Sequence, residues 1–304
     1  MLPSVSNDIR LPIVDGKQKS LLSDISKIAY EEAGLIVVPE KAPIVLSRVS
    51  KRLRALKLDS MTDYQEILHG PNAATERREL ISCLTTNVTS FFREKHHFEY
   101  LKLHMEGIRE RAKSGHEVRI WSAGCSSGQE PISIAITILE AIPEAGSLDI
   151  RILASDIDQH VLKIAREATY TASQTESITP TLLKKYFQKV KNPDCSNRYQ
   201  VLRSVRDLIS YRELNLFSSW PIRKQYDAIF CRNVVIYFDR PSQVHLWKRF
   251  WDASRPGGLM FIGHSERIPL EISHRFLSIG TTTYVREAQP TSAHARTKGE
   301  NLGT

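Results

Sequence analysis

The run Val118-Arg-Ile-Trp-Ser-Ala123, emptying directly into Gly124-Cys-Ser-Ser-Gly128, limits what this chain can fold into more than any other stretch. A strand-like segment, a glycine turn and then an apolar helix, here Pro131 to Ala141, form one β–turn–α unit. The pattern repeats as a strand over Asp149 to Ser155 and a helix over Asp158 to Ala168. Farther on, the apolar runs Tyr226 to Cys231 and Gly258 to Gly263 bracket a helix over Pro241 to Ala253. This alternation predicts a doubly wound, mostly parallel sheet with helices on both faces, an α/β fold. Leu208 to Asn215 predicts a further strand, and Thr281 to Val285 a last edge strand open to antiparallel pairing. After the second helix, Thr169 to Leu216 breaks the rhythm, with a short helix near Thr181 to Phe187 and a strand-like segment from Tyr199 to Val205. That predicts a small antiparallel β insertion at about 170–212.

Upstream of Val118 every strong segment reads helical. Leu21, Leu22, Ile25, Ile28 and Ala29 recur at helical spacing, as do Leu46, Val49, Leu53 and Leu56. Two more helices, Ser60 to Leu68 and Thr75 to Leu84, flank the breaker His69-Gly70-Pro71, and the helical pattern resumes from Phe91 to Ala112. The expected organisation is a polar arm over 1–20, an all-helical N-terminal domain over 21–116, an α/β domain over 117–287 and a polar tail over 288–304. A chain of 304 residues is long enough for two domains with proper cores. No apolar run approaches a membrane span, and the N-terminus lacks the apolar stretch of a signal peptide. Cys83, Cys125, Cys195 and Cys231 form no CxxC pair, which argues against a zinc ribbon or a disulfide framework and predicts a cytoplasmic protein.

The glycine turn carries chemistry. It lacks the third glycine of GxGxxG, and Gln129-Glu130 place a carboxylate in the first turn of the helix that follows. That charge repels a pyrophosphate and suits a cationic ligand such as an ammonium or a sulfonium. On its own the same turn is equally an ordinary one with a dipole-compensating Glu. Asp156, at the tip of the second strand, is placed to accept both ribose hydroxyls of an adenosine, while Asp158 is free to cap the next helix. Together these residues point to adenosine with a positive group and no phosphate. S-adenosylmethionine fits; NAD and ATP do not.

Three strings then resemble one family. Thr86-Asn-Val-Thr-Ser-Phe-Phe-Arg93, Ser122-Ala-Gly-Cys-Ser-Ser-Gly-Gln-Glu-Pro131 and Cys231-Arg-Asn-Val-Val-Ile-Tyr-Phe238 are similar, in order and spacing, to the chemotaxis receptor methyltransferases, the CheR family. The resemblance runs from about Leu46 to Val285. It implies a small helical N-terminal domain and a methyltransferase domain bearing a three-stranded antiparallel insertion. It also implies transfer of a methyl group from S-adenosylmethionine to glutamate side chains on the cytoplasmic helices of methyl-accepting chemoreceptors, with S-adenosylhomocysteine as product. Carried over by position, the cofactor contacts fall on Asn87, Thr89, Arg93, Glu130, Asp156, Asn215, Leu216, Arg232 and Asn233, and no metal is implied. Arg93 and Tyr237 are the candidates for holding the incoming carboxylate, one with a fork of donors and the other with a single hydroxyl. The chain is expected to act as a monomer.

The net charge of +8 needs a location. Residues 41–58 hold six Lys/Arg and no acid. At helical spacing Leu46, Val49, Leu53 and Leu56 share one face, and Arg48, Lys51 and Arg52 the opposite one. That basic face is either solvated surface or a docking site for acidic receptor helices. Nucleic acid would be attracted equally, so an RNA or DNA methyltransferase is one alternative and a non-catalytic receptor-binding adaptor another. Against nucleic acid, the string after the fourth strand is Cys-Arg-Asn-Val rather than the Asn/Asp-Pro-Pro-aromatic of base methyltransferases. One departure from the family concerns the insertion. Some members dock a receptor C-terminal pentapeptide there with glycines in the turn, whereas Lys189 to Asn197 contains none, which puts that tether in doubt.

Overall fold

The structure, a computed structural model, describes residues 16–191 and 197–287. The tail, residues 1–15 of the arm, and the middle of the Lys189–Asn197 turn lie outside the described residues. The chain divides into two compact units, one ending at Thr86 and the other beginning at Asn87.

The described residues of the first unit form four α-helices: α1 (Gly16–Ala33), α2 (Ala42–Leu56), α3 (Met61–His69) and α4 (Ala73–Leu84). Residues 16–20, expected in the arm, are the first turn of α1. The helices bury Leu21, Ile25, Ile28, Val45, Val49, Tyr64, Leu68 and Leu80 in one core. α3 starts on a capping box in which Ser60 and Asp63 exchange side-chain and backbone bonds, so its first orphan N–H groups are satisfied locally. In α2 the buried stripe is Val45 and Val49, flanked by the partly buried Leu53, while Leu56 is exposed. Val45 thus takes the place of Leu46 on the expected apolar face, which keeps Val49 and Leu53 and loses Leu56.

The second unit opens with a turn-rich segment, Asn87 to Lys95, and the helices α5 (His96–Leu103) and α6 (Met105–Lys113). The expected boundary at residue 116 is corrected here. Phe98, Leu101, Met105, Ile108 and Ala112 are buried in the same core as Val118 and Ile120 of β1 (Val118–Ala123). Helical periodicity marks which face of α5 and α6 is buried and carries no information about which core receives it. After β1 come α7 (Gln129–Ala141), β2 (Ile150–Asp156) and α8 (Gln159–Glu167). α7 buries 10 of its 13 residues because it lies under the sheet with α5 and α6 packed outside it.

The insertion contains β3 (Thr169–Thr171), α9 (Pro180–Tyr186), β4 (Phe187–Lys191), β5 (Asn197–Val201) and α10 (Arg203–Arg206). Its strands pair antiparallel in the order β3-β5-β4, the three-stranded sheet the family resemblance implied. The main sheet continues with β6 (Ile209–Glu213), β7 (Tyr226–Cys231), α11 (Arg240–Ala253), β8 (Ser254–Ile262), α12 (Leu270–Ser273), β9 (Phe276–Gly280) and β10 (Thr283–Arg286). Its order is β6-β2-β1-β7-β8-β10-β9. The pairs β1–β2, β1–β7, β2–β6 and β7–β8 are parallel, and β10 is antiparallel to both its neighbours. β10 is thus interior, not the expected edge. The edge is β9, whose Phe276-Leu-Ser-Ile-Gly280 shows no clear alternation. Since β1 leads to β2 and β6 on one side while β7 and β8 lie on the other, the switch point falls between β1 and β7, where such folds take ligands at the carboxyl ends of the strands.

Candidate active site

The carboxyl end of β1 turns sharply at Gly124, whose φ of +89° suits glycine, and an added Cβ there would collide with Val234 in the loop after β7. The glycine loop that follows is tied to β2 from two directions. Gly124 and Cys125 donate their N–H groups to Ser155 O, and the left-handed Ser126 donates its N–H to Asp156 Oδ2 at 2.8 Å. Asp156 Oδ1 accepts from Asp158 N at 3.0 Å, while Asp158 itself caps α8 by accepting from His160 N. Asp156 is 8% exposed, and burial raises its pKa against the pull of these N–H groups. Each of its oxygens retains a lone pair beyond its backbone bond, the capacity a vicinal diol needs.

Glu130, in the first turn of α7, accepts from Ser122 Oγ at 2.6 Å and from Arg232 Nη1 at 3.0 Å. Burial raises its pKa, with Arg232 opposing the shift. Arg232 follows β7 and is itself buried. Its Nη2 lies 3.3 Å from Glu94 Oε2 and donates to the carbonyl of Arg93. Two carboxylates around one guanidinium leave a net negative charge in a dry crevice, which is attractive to a cation and hostile to a polyphosphate.

The segment 87–94 lies along the glycine loop. Asn87 Nδ2 donates to Asp158 Oδ2 at 2.7 Å, and Ser126 Oγ donates to Asn87 O at 2.9 Å. Phe91 forms the floor, edge-on to Tyr170 at 5.0 Å and to Phe187 at 5.6 Å, both rings belonging to the insertion. Phe92 and Glu94 are left-handed, with φ of 53° and 55°, so Arg93 sits on a sharply turned backbone. Its half-buried guanidinium donates to Val88 O at 3.2 Å. Thr89 is half-buried in the same segment, and Tyr237 is half-buried in the short turn Val235–Tyr237 that continues from Arg232 and Asn233.

After β6, Asn215 Oδ1 accepts from Phe217 N and folds the loop back, leaving Leu216 buried. Leu216, Phe217, Phe238, Pro241 and Leu246 line an apolar cavity of about 240 Å³. Glycine turn, buried carboxylates, Asn215 loop and apolar cavity together have the polarity an adenosine carrying an ammonium and a sulfonium requires.

Sequence reasoning missed Glu94, Ser122, and Glu266 of the Gly263-His-Ser-Glu266 string. Glu266 lies four residues past the end of β8, farther from its strand than Asp156, the last residue of β2, or Arg232, the first after β7, and no local pattern marked it. Glu94, His96 and His97 bring ligand atoms within 4.8 Å of one another, but the Arg232 guanidinium beside Glu94 opposes a second cation there. His97 is fully buried, its Nε2 is 2.8 Å from Thr282 Oγ1, and burial together with Arg232 pushes its pKa down to about 3, so it is neutral. Burial alone would push the Glu94 carboxyl up; Arg232 and His264 outweigh it, and the net shift is downward.

In the first unit, two residues expected to dock substrate are engaged in the fold. Arg48 Nη1 donates to the carbonyls of Cys83, Leu84 and Thr85 at 3.1, 2.7 and 2.9 Å, closing the carboxyl end of α4. Arg52 grips buried Glu76 through two bonds of 3.0 and 2.6 Å and reaches Glu79, while Tyr64 Oη also donates to Glu76. Helical spacing gave the direction of these side chains and not the acceptors waiting on α4. Lys51 and Arg54 are exposed on α2.

The family model for the CheR methyltransferase all-alpha domain matches residues 21–85, and the one for the CheR methyltransferase SAM binding domain matches residues 87–285. The chain is 47% identical over 256 residues to a "Probable chemotaxis protein methyltransferase" of Rhizobium etli, covering 84% of this chain and 95% of that protein. It is 41% identical to "Chemotaxis protein methyltransferase 2" of Pseudomonas aeruginosa, over 84% of this chain and 89% of that one. With the "Chemotaxis protein methyltransferase" of Escherichia coli the identity is 37%, over 86% and 88%. No helix among the described residues is long and apolar enough to cross a membrane. Matched through both of its units, the chain belongs to the CheR family and is an S-adenosylmethionine-dependent methyltransferase of chemotaxis.

Proposed function

We propose that this protein methylates glutamate side chains on the cytoplasmic helices of chemoreceptors, forming methyl esters. The observation that carries this reading is the placement of two carboxylates, the buried Asp156 and the half-buried Glu130, at the switch point of the sheet, with the one guanidinium beside Glu130 engaged by carboxylates. Glu130 receives the ammonium of the methionine part and Asp156 the ribose diol. Asn215 and Leu216 meet the adenine edge, and Asn87, Thr89, Arg93, Arg232 and Asn233 complete the cofactor site. The bound cofactor supplies a sulfonium methyl that a carboxylate oxygen attacks, with the S–C electron pair staying on sulfur.

The acceptor, with an ordinary glutamate pKa of about 4.3, is already ionised at neutral pH, so no side chain has to act as a base. The task left to the protein is in-line positioning with water excluded. Arg93 and Tyr237 orient the acceptor carboxylate. Arg93 should orient rather than clamp, since a tight ion pair with the ground state would slow transfer. The exposed cations Lys51 and Arg54 of α2 meet the acidic receptor helix in place of Arg48 and Arg52. Labelled-methyl transfer to receptor fragments and to RNA tests the reading. Label that enters the receptor fragment, leaves as methanol in mild alkali and disappears when the acceptor glutamates are replaced supports it. Label in RNA, or alkali-stable label in the receptor, overturns it.

A further inference from the structure

Glu266 is 4% exposed, and its carboxylate accepts four backbone N–H groups. Oε2 takes Asn233 N at 3.0 Å and Gly263 N at 2.6 Å; Oε1 takes Val234 N at 2.8 Å and Val235 N at 2.9 Å. An ionised carboxylate offers about four lone-pair sites, so this one is saturated by backbone alone. Three of the four donors follow Arg232 directly. Asn233 is held at φ 60°, a left-handed conformation that a non-glycine residue keeps only when its surroundings impose it. The fourth donor, Gly263, directly follows β8, and a Cβ there would lie 2.7 Å from Asn233 Nδ2, 2.8 Å from Asn233 N and 2.9 Å from Glu266 Oε2. The carboxylate therefore fastens the carboxyl ends of two neighbouring parallel strands together and sets the path of residues 232–237.

We propose that Glu266 is a positioning residue for methyl transfer, acting through the backbone of residues 233–235 to fix Arg232, Asn233 and Tyr237. The proposal rests on the reading of residues 232–237 as part of the cofactor and acceptor site. A merely structural role would lower stability and leave the folded protein's affinity for its ligand unchanged. Asp227 supplies that comparison. It is at the amino end of β7, 7% exposed, and accepts from Arg119 N at 2.9 Å and Arg255 Nη1 at 2.6 Å, away from the crevice.

Glu266→Gln is isosteric but turns an NH2 toward two of the N–H donors. At a temperature where both variants are folded, Glu266→Gln should weaken S-adenosylhomocysteine binding at least tenfold by calorimetry and lower turnover at saturating cofactor by as much. Asp227→Asn should change affinity less than twofold even though its unfolding midpoint falls. Gly263→Ala keeps the carboxylate but pushes on Asn233; it should repeat the loss, and it decides the matter should Glu266→Gln not fold. Affinity within twofold of the parent in both crevice variants, or losses that track stability equally at Glu266 and Asp227, overturns the proposal. Arg232→Gln separates the two levels. If it weakens binding while Glu266→Gln and Gly263→Ala do not, only the positioning role fails. If none of the three weakens binding, the reading of the loop as a cofactor site fails with it.

Discussion

At the scale of single residues the site depends on carboxylates held in dry surroundings. Asp156 organises the glycine loop through Ser126, and in the function proposed above it also receives the ribose. Asp156→Asn should weaken S-adenosylhomocysteine binding by about 1–3 kcal/mol, the range for a charge-assisted hydrogen bond, as read by titration calorimetry. An unchanged affinity would remove Asp156 from the cofactor site. Glu130 gives a pH dependence of defined sign. Its folded pKa is raised by burial, so between the unfolded and the folded value the empty protein holds a proton that the unfolded chain has released, and this group's contribution to stability falls as pH climbs through that interval. A bound ammonium favours the ionised form. The rise in unfolding midpoint given by S-adenosylhomocysteine should therefore grow as pH climbs above the ordinary glutamate value of about 4.3 and be flatter in Glu130→Gln, measured by thermal denaturation over a pH series. These two carboxylates were legible in the sequence because each occupies a fixed offset from a strand end. Glu266 and Glu94 have the same chemistry, but no local pattern distinguishes them from surface acids; their partners lie 31–33 and 138 residues away along the chain.

At the scale of elements, α2 marks where periodicity stops being informative. Its spacing separates an apolar stripe from a basic one, yet nothing in residues 41–58 reveals that α4 presents Glu76 and an open carboxyl end to Arg52 and Arg48. Reversing Arg48 and Arg52 to Glu should not leave stability nearly intact, as a solvated face would. Leaving Glu76 buried beside a new carboxylate should cost about 3–5 kcal/mol and unfold the first unit early, seen by urea denaturation. The docking question passes to Lys51 and Arg54, three residues apart and both exposed. Lys51→Glu with Arg54→Glu should slow transfer to receptor below saturation and reduce its salt sensitivity, while cofactor affinity stays unchanged by calorimetry. Equal rates at low and high salt in both proteins would make this face solvated surface. The β elements were read more completely. β1 and β7 match their apolar runs residue for residue, because strands buried on both faces have no alternation to blur. β9 was missed for the opposite reason: a short edge strand with exposed Leu277 and Ser278 carries neither an apolar run nor a clean period of two.

At the scale of the whole molecule, the described residues of the first unit close a core of their own, while the second unit gathers one around α7 and the parallel strands and a smaller cluster at Cys125, Ala154 and Leu162. Every candidate cofactor residue, from Asn87 to Asn233, belongs to the second unit. Calorimetry should resolve two unfolding transitions, of which S-adenosylhomocysteine at about a hundredfold excess over its dissociation constant raises only one, by about 2.7 kcal/mol of stabilisation. A single transition that shifts as a whole would mean that the two units unfold together. The division at Thr86 was hidden from sequence pattern because α5 and α6 look like a continuation of the helices before them. The Phe91 floor has a consequence for anyone recombining these enzymes. The three-stranded sheet looks like a cassette that could be exchanged to give a new receptor preference. Yet Tyr170 and Phe187, which the cassette contributes, hold the ring two residues from Arg93, and Tyr170 Oη donates to Ser127 O in the glycine loop. A graft that keeps every proposed site residue but brings its own side chains at these two positions would arrive with a displaced Arg93, so a workable chimaera has to be cut outside the aromatic trio.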